Sequence, residues 1–112
     1  MMDLSRGDIV GINLNPKKGD EIGKVRPCLI LSDNESNEIL DTIIVMPLST
    51  SLLENMEPFR LRLKSRDKLA KDSDILINHI RTISKKRVTS FIATITKKEY
   101  DDVIDNLCLN FK

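Results

Sequence analysis

Aromatic residues are scarce in this 112-residue sequence: tryptophan is absent, and there are one tyrosine and three phenylalanines. That argues against a protein that holds single strands mainly by stacking bases on aromatic platforms. With one histidine, His79, and two cysteines, Cys28 and Cys108, there is no metal-ligand spacing and no third partner for a Ser-His-Asp nucleophile. Both cysteines are expected to be buried, reduced thiols. No stretch approaches the roughly 18 apolar residues of a membrane span, and residues 1–6 lack a signal-peptide core, so a cytoplasmic protein is expected. Repeats and the phosphate-cradling patterns GxxxxGK[ST] and GxGxxG are missing as well, and no cofactor is implied.

What is present suits one folded domain spanning residues 1–112. Hydrophobic residues make up 40% and charged residues 31%, too apolar for disorder and enough for a modest core. The net charge of +1 conceals segregation. Residues 1–56 hold five basic and nine acidic side chains (−4), residues 57–98 twelve and four (+8), and residues 99–112 one and four (−3). The central segment therefore suits either a polyanion-binding face or a set of solvated lysines and arginines.

The pattern predicts six strands and one helix. Residues 8–14 alternate at Val10, Ile12 and Leu14 before the Asn15-Pro16 turn, and a charged, glycine-containing loop follows over residues 17–24. Residues 25–31 read as a strand covered on both faces, with Arg26 at its entrance. Residues 33–38 read as a turn, and residues 42–46 as a strand that Pro47 ends or kinks. Residues 59–64 alternate apolar and basic, which predicts one buried and one cationic face. Residues 73–83 and 88–95 complete the strands around the basic turn at residues 84–87. Thr96 and Glu99 form a capping-box pattern, after which Tyr100, Val103, Ile104, Leu107 and Phe111 recur at helical spacing.

Four places carry chemistry. Arg26 beside the loop suits phosphate binding, or a strand-end pair with Glu21. Ser49-Thr50-Ser51 offers hydroxyl donors, or an ordinary turn. His79 and Arg81 share a strand and would share a face if it is regular; each also fits a structural role. Arg60, Arg62 and Lys64 of the basic set from Arg60 to Lys71, with Lys85, Lys86 and Arg87, suit backbone phosphates or a solvated face.

In order, these segments resemble the MazF/PemK family of toxin endoribonucleases. The matching residues are Arg6-Gly7-Asp8-Ile9-Val10, then Asn15-Pro16-Lys17-Lys18-Gly19-Asp20-Glu21 leading to Arg26-Pro27 and Leu29-Ile30-Leu31-Ser32, then Pro47-Leu48-Ser49-Thr50 and Ile80-Arg81-Thr82-Ile83. The resemblance implies a mainly β, SH3-like barrel with a C-terminal helix and a homodimer. It also implies metal-independent cleavage of single-stranded RNA, leaving 2′,3′-cyclic phosphate and 5′-hydroxyl ends, and an acidic MazE-like antitoxin that covers the RNA groove. It assigns catalysis to Arg26 and to the hydroxyl of Ser49, where many members have threonine; Thr50 next door could share that role, and the chemistry leaves the base open, with Glu21 and His79 as candidates. Lys17, Lys18, Lys24, Arg60, Arg62, His79, Arg81, Lys85, Lys86 and Arg87 would contact RNA, and the loop of residues 17–24 would close over it. The alternatives are a CcdB-like gyrase poison on a similar fold and a non-catalytic RNA-binding barrel.

Overall fold

The computed structural model describes residues 3–14 and 25–112. In chain order these form β1 (Asp8–Asn13), β2 (Val25–Ile30), α1 (Asn34–Ile39), β3 (Thr42–Ser49), β4 (Arg60–Leu63), β5 (Ser73–Leu76), β6 (Arg81–Ser84), β7 (Val88–Thr94) and α2 (Lys97–Leu109). All pairings are antiparallel, in the order β4-β5-β3-β2-β1-β7, with β6 also on β3. One apolar cluster holds Leu63 of β4 together with Ala93 of β7, so the sheet curls until its two end strands share a core. It does not close among the described residues. Lys68 N donates to the Ile92 carbonyl at 3.2 Å, bridging the gap without a ladder.

The two faces of the sheet bury different clusters. Ile9, Leu29, Met46, Leu48 and Ile75 point inward beneath Val103 of α2. Val10, Ile12, Cys28, Ile30, Ile43, Val45 and Ile83 point the other way, beneath Leu4, Leu14 and Val88. This is why residues 25–31 read as almost continuously apolar: both faces of β2 are covered. β7 approaches β1 closely at Gly11, where an added Cβ would lie 2.8 Å from Ser90 Oγ and 2.9 Å from Thr89 Oγ1.

Three expectations need correction. Residues 33–38 are not a turn; Asp33 caps the helix α1, its carboxylate accepting from Ser36 N at 2.7 Å. Strand β3 runs through Pro47 to Ser49 and does not end there. Leu31 N donates to the Ile44 carbonyl, so by alternation Pro47 directs its missing N–H toward the opposite edge of β3. On that edge β5 pairs Leu48↔Ile75 and β6 pairs Val45↔Arg81, a register offset of three residues. The offset is the 3-10 turn Ile77–His79, so Pro47 faces an interrupted ladder and no hydrogen bond is lost. The same turn divides the single strand expected over residues 73–83, which raises the strand count from six to seven.

Helix α2 begins as predicted. Glu99 N donates to Thr96 Oγ1 at 3.1 Å and Thr96 N to Glu99 Oε1 at 2.8 Å. Arg66 also grips the Glu99 carboxylate, with Nη2 to Oε2 at 2.6 Å. That hydrogen bond, opposed by desolvation, holds the Glu99 carboxyl down at about 2. Its stabilisation is present above the usual carboxylate range and disappears as pH falls from about 4.5 toward 2. Glu99→Gln should therefore cost about 1–2 kcal/mol in urea unfolding at pH 7, discounting for partial exposure, and only about a quarter of that at pH 2.5.

Candidate active site

Register brings the predicted arginine and hydroxyl together. Strand alternation puts Arg26 on the Cys28 face of β2, Ser49 on the Val45 face of β3 and Arg81 on the Ile83 face of β6, and these are one face of the sheet. β2 pairs with β3 as Ile30↔Val45 and Cys28↔Pro47. The ladder ends at Cys28↔Pro47, and Arg26 and Ser49 each lie two residues beyond that pair on this same face. Both side chains therefore project from the same end of the β2-β3 pair, where a forked guanidinium and a hydroxyl can face one substrate.

Cys28 reports the local charge. Burial pushes its thiol up to about 12, although the nearby positive charges of Arg81 and Arg26 pull it down. Cys28 is thus a protonated, inert core thiol, whereas Cys108 is exposed, contrary to the expectation that both are buried. Arg26 is half-buried and Arg81 exposed, and neither has an ion-pair partner among the described residues. Their donors remain directed at whatever occupies this face.

Ser49 Oγ accepts from Ser51 N at 3.1 Å, a local turn that leaves the hydroxyl hydrogen free to donate outward. Thr50 is exposed beside it. Arg60 and Arg62 are held differently from a free cationic face. Arg62 Nε lies 2.6 Å from Asp74 Oδ1, and Arg60 Nη1 lies 3.3 Å from Asp74 Oδ2. Asp74 is 1% exposed. Desolvation raises its carboxyl, but the bonds from Arg62, the Leu53 amide and Arg60 hold it below the usual range. Sequence reading passed over Asp74; the available signal was a single acidic residue in the apolar run of residues 73–83, opposite two arginines.

The remaining cations divide. Lys85 Nζ donates to the Asn37 carbonyl at 2.7 Å, near the end of α1, and Arg87 Nη1 to the Asn13 carbonyl at 3.1 Å. Lys86 is exposed on the same turn. His79 is exposed on the 3-10 turn opposite Pro47, so the regular strand that would have set its face with Arg81 is interrupted between them. Lys17, Lys18, Glu21 and Lys24 lie outside the described residues, as does the proposed pairing of Glu21 with Arg26. Among the described residues no group of three or more His, Cys, Asp or Glu side chains is arranged to hold a metal, and no helix is long and apolar enough to cross a membrane.

Known proteins share both sequence and fold with this chain. A family model for the PemK-like, MazF-like toxin of type II toxin-antitoxin systems matches residues 5–111. Endoribonuclease MazF of Staphylococcus epidermidis is 33% identical over 106 residues, covering 91% of this chain and 88% of that protein. Endoribonuclease MazF of Staphylococcus saprophyticus is 32% identical over 101 residues, covering 89% and 84%. Among solved structures, MazE-MazF from Deinococcus radiodurans superposes with a TM-score of 0.83 at 22% identity, covering 99% of this chain and 97% of that one. A mycobacterial endoribonuclease in complex with its cognate antitoxin gives 0.75 at 18% identity, covering 99% and 95%. The structural likenesses speak for the fold; the family match over nearly the whole chain, carried by sequence, shows that this chain belongs to the PemK-like, MazF-like toxins of type II toxin-antitoxin systems.

Proposed function

We propose that this chain is an endoribonuclease that cuts single-stranded RNA by attack of the RNA's own 2′-hydroxyl on the adjacent phosphate, leaving 2′,3′-cyclic phosphate and 5′-hydroxyl ends. Cutting mRNA in this way would halt translation and growth until an antitoxin binds. The observation that carries the reading is that Arg26, Ser49 and Arg81 share one face of the sheet, neither arginine having an ion-pair partner among the described residues. The names of the staphylococcal relatives support the endoribonuclease activity and say nothing of the mechanism.

The reaction needs a base for the 2′-hydroxyl, an acid for the departing 5′-oxygen and donors for the charge on the phosphorane. A guanidinium suits the last role, since its forked donors match phosphate oxygens, and it stays protonated near neutrality. Arg26 is therefore assigned as the transition-state clamp and as a donor toward the leaving oxygen. Ser49 donates its free hydroxyl hydrogen to the same phosphate, with Thr50 adjacent. Glu21 or His79 takes the proton. All these groups come from the protein and the RNA, so the proposed reaction runs without a metal.

Lys17, Lys18, Lys24, Arg81, Lys86 and Arg87 are assigned to flanking phosphates, with Arg60 and Arg62 contributing a field already shared with Asp74. Three or four such contacts on a single strand imply that raising salt from 50 to 200 mM weakens RNA binding about 20- to 50-fold. A change below twofold would remove the phosphate-binding role. The same face is proposed to receive an acidic antitoxin segment, and two copies of the chain to form a homodimer.

The test is purified protein with a long single-stranded RNA in excess EDTA, followed by mapping of the cut ends. Cleavage with cyclic-phosphate and 5′-hydroxyl ends supports the reading; binding without cutting would favour a non-catalytic barrel, and inactivity on RNA with capture of gyrase would favour a gyrase poison.

A further inference from the structure

We propose that Asp74 is a positioning residue for the cleavage site: with Arg60 and Arg62 it holds residues 49–53 so that the Ser49 hydroxyl keeps its hydrogen directed outward on the face that carries Arg26. This rests on the endoribonuclease reading above and assigns a further residue to that site.

The sheet arranges these groups in one row. Asp74 of β5 pairs with Ser49 of β3 on one side and with Arg62 of β4 on the other. Alternation puts all three on the face opposite Ile75, which lies in the other core cluster. The row reads Ser49, Asp74, Arg62 across three strands, on the face that also carries Arg26 of β2.

Above this row the chain leaves β3 and folds back over Asp74. Leu53 N donates to Asp74 Oδ2 at 2.9 Å, Arg62 Nη2 to the Leu53 carbonyl at 3.3 Å, and Arg60 Nη1 to the Ser51 carbonyl at 2.9 Å. Ser51 is therefore held at both ends, its carbonyl by Arg60 and its N–H by Ser49 Oγ. That N–H occupies a lone pair of the Ser49 hydroxyl, which fixes where its own hydrogen can point.

Nothing apolar does this work in place of the polar bonds. Residues 50–57 are all exposed, and Leu52 and Leu53 are 40% and 46% exposed. The stretch that follows Ser49 out of β3 is fastened by a carboxylate and two guanidinia rather than by packing. Loss of the carboxylate should loosen the segment while α2 and both core clusters stay in place.

The experiment compares full-length wild type, Asp74→Asn, Ser49→Ala and the double variant by steady-state cleavage of one single-stranded RNA, with amide hydrogen exchange on the same samples. Asp74→Asn should lower kcat about 10- to 100-fold with KM within twofold, and protection of the Leu53 amide should fall. Because Asp74 acts through Ser49, the double variant should be no slower than Ser49→Ala alone. Wild-type kcat in Asp74→Asn, or losses that multiply in the double variant, would overturn the proposal. If Asp74→Asn does not fold, Arg60→Gln removes the Ser51 carbonyl clamp and one of the two guanidinia on Asp74, leaving Asp74 with Arg62 and the Leu53 amide. It should lower kcat about 3- to 10-fold at constant KM, with an unchanged kcat counting against the proposal. If wild type cuts no RNA, the endoribonuclease reading fails separately; unchanged Leu53 protection in Asp74→Asn would then refute the strut, and lost protection would support it.

Discussion

Arg26→Ala lowers kcat on single-stranded RNA about 1,000-fold, roughly 4 kcal/mol of transition-state stabilisation, and leaves the unfolding midpoint almost unmoved. The activity loss follows from removing forked, charged donors at the position where negative charge develops. The unchanged stability follows from the surroundings, since Arg26 is half-buried and has no ion-pair partner among the described residues. Arg26→Lys should recover part of the rate, because an ammonium restores charge without the planar fork. Single-turnover cleavage beside urea denaturation separates the two effects. A variant within tenfold of wild type would show that Arg26 is not the clamp.

Leu29→Ala produces the largest loss of stability, about 3–4 kcal/mol. Leu29 is fully buried and pairs with Ile9 on β1 and Met46 on β3, in the cluster that α2 covers. Truncation opens a cavity that two ladders and a helix prevent from collapsing. Small domains are stable by only about 5–15 kcal/mol, so the urea midpoint should fall sharply. Leu29→Met, which keeps the volume, should cost less than about 1.5 kcal/mol. Equal effects of the two substitutions would contradict the packing described for this cluster.

Local signals were legible in the sequence and long-range ones were not. Strand β1, strand β2 and the capping box of α2 each rest on neighbouring residues: alternation, β-branched runs, and a threonine three places before a glutamate. Helix α1 escaped notice because it buries one residue, the polar Asn37, and so has no apolar stripe. The break at Ile77–His79 is set by Pro47 and by the two strands sharing one edge of β3, neither visible within the run itself. Arg60 and Arg62 have the alternation of a cationic face. Their partner Asp74 lies 12–14 residues away, and only the β4-β5 pairing brings it beneath them. Arg26 and Ser49 are named by the family resemblance alone; no local pattern in the sequence shows that β2 and β3 put them on one face.

The central claim is that the RNA's own 2′-hydroxyl attacks the phosphate held by Arg26 and Ser49. Once a cut has been mapped in EDTA, the same RNA made with a single 2′-deoxynucleotide 5′ to that bond tests the claim directly. The mechanism predicts that cleavage at that bond disappears while binding changes less than about threefold. Continued cutting there at the wild-type rate would contradict it.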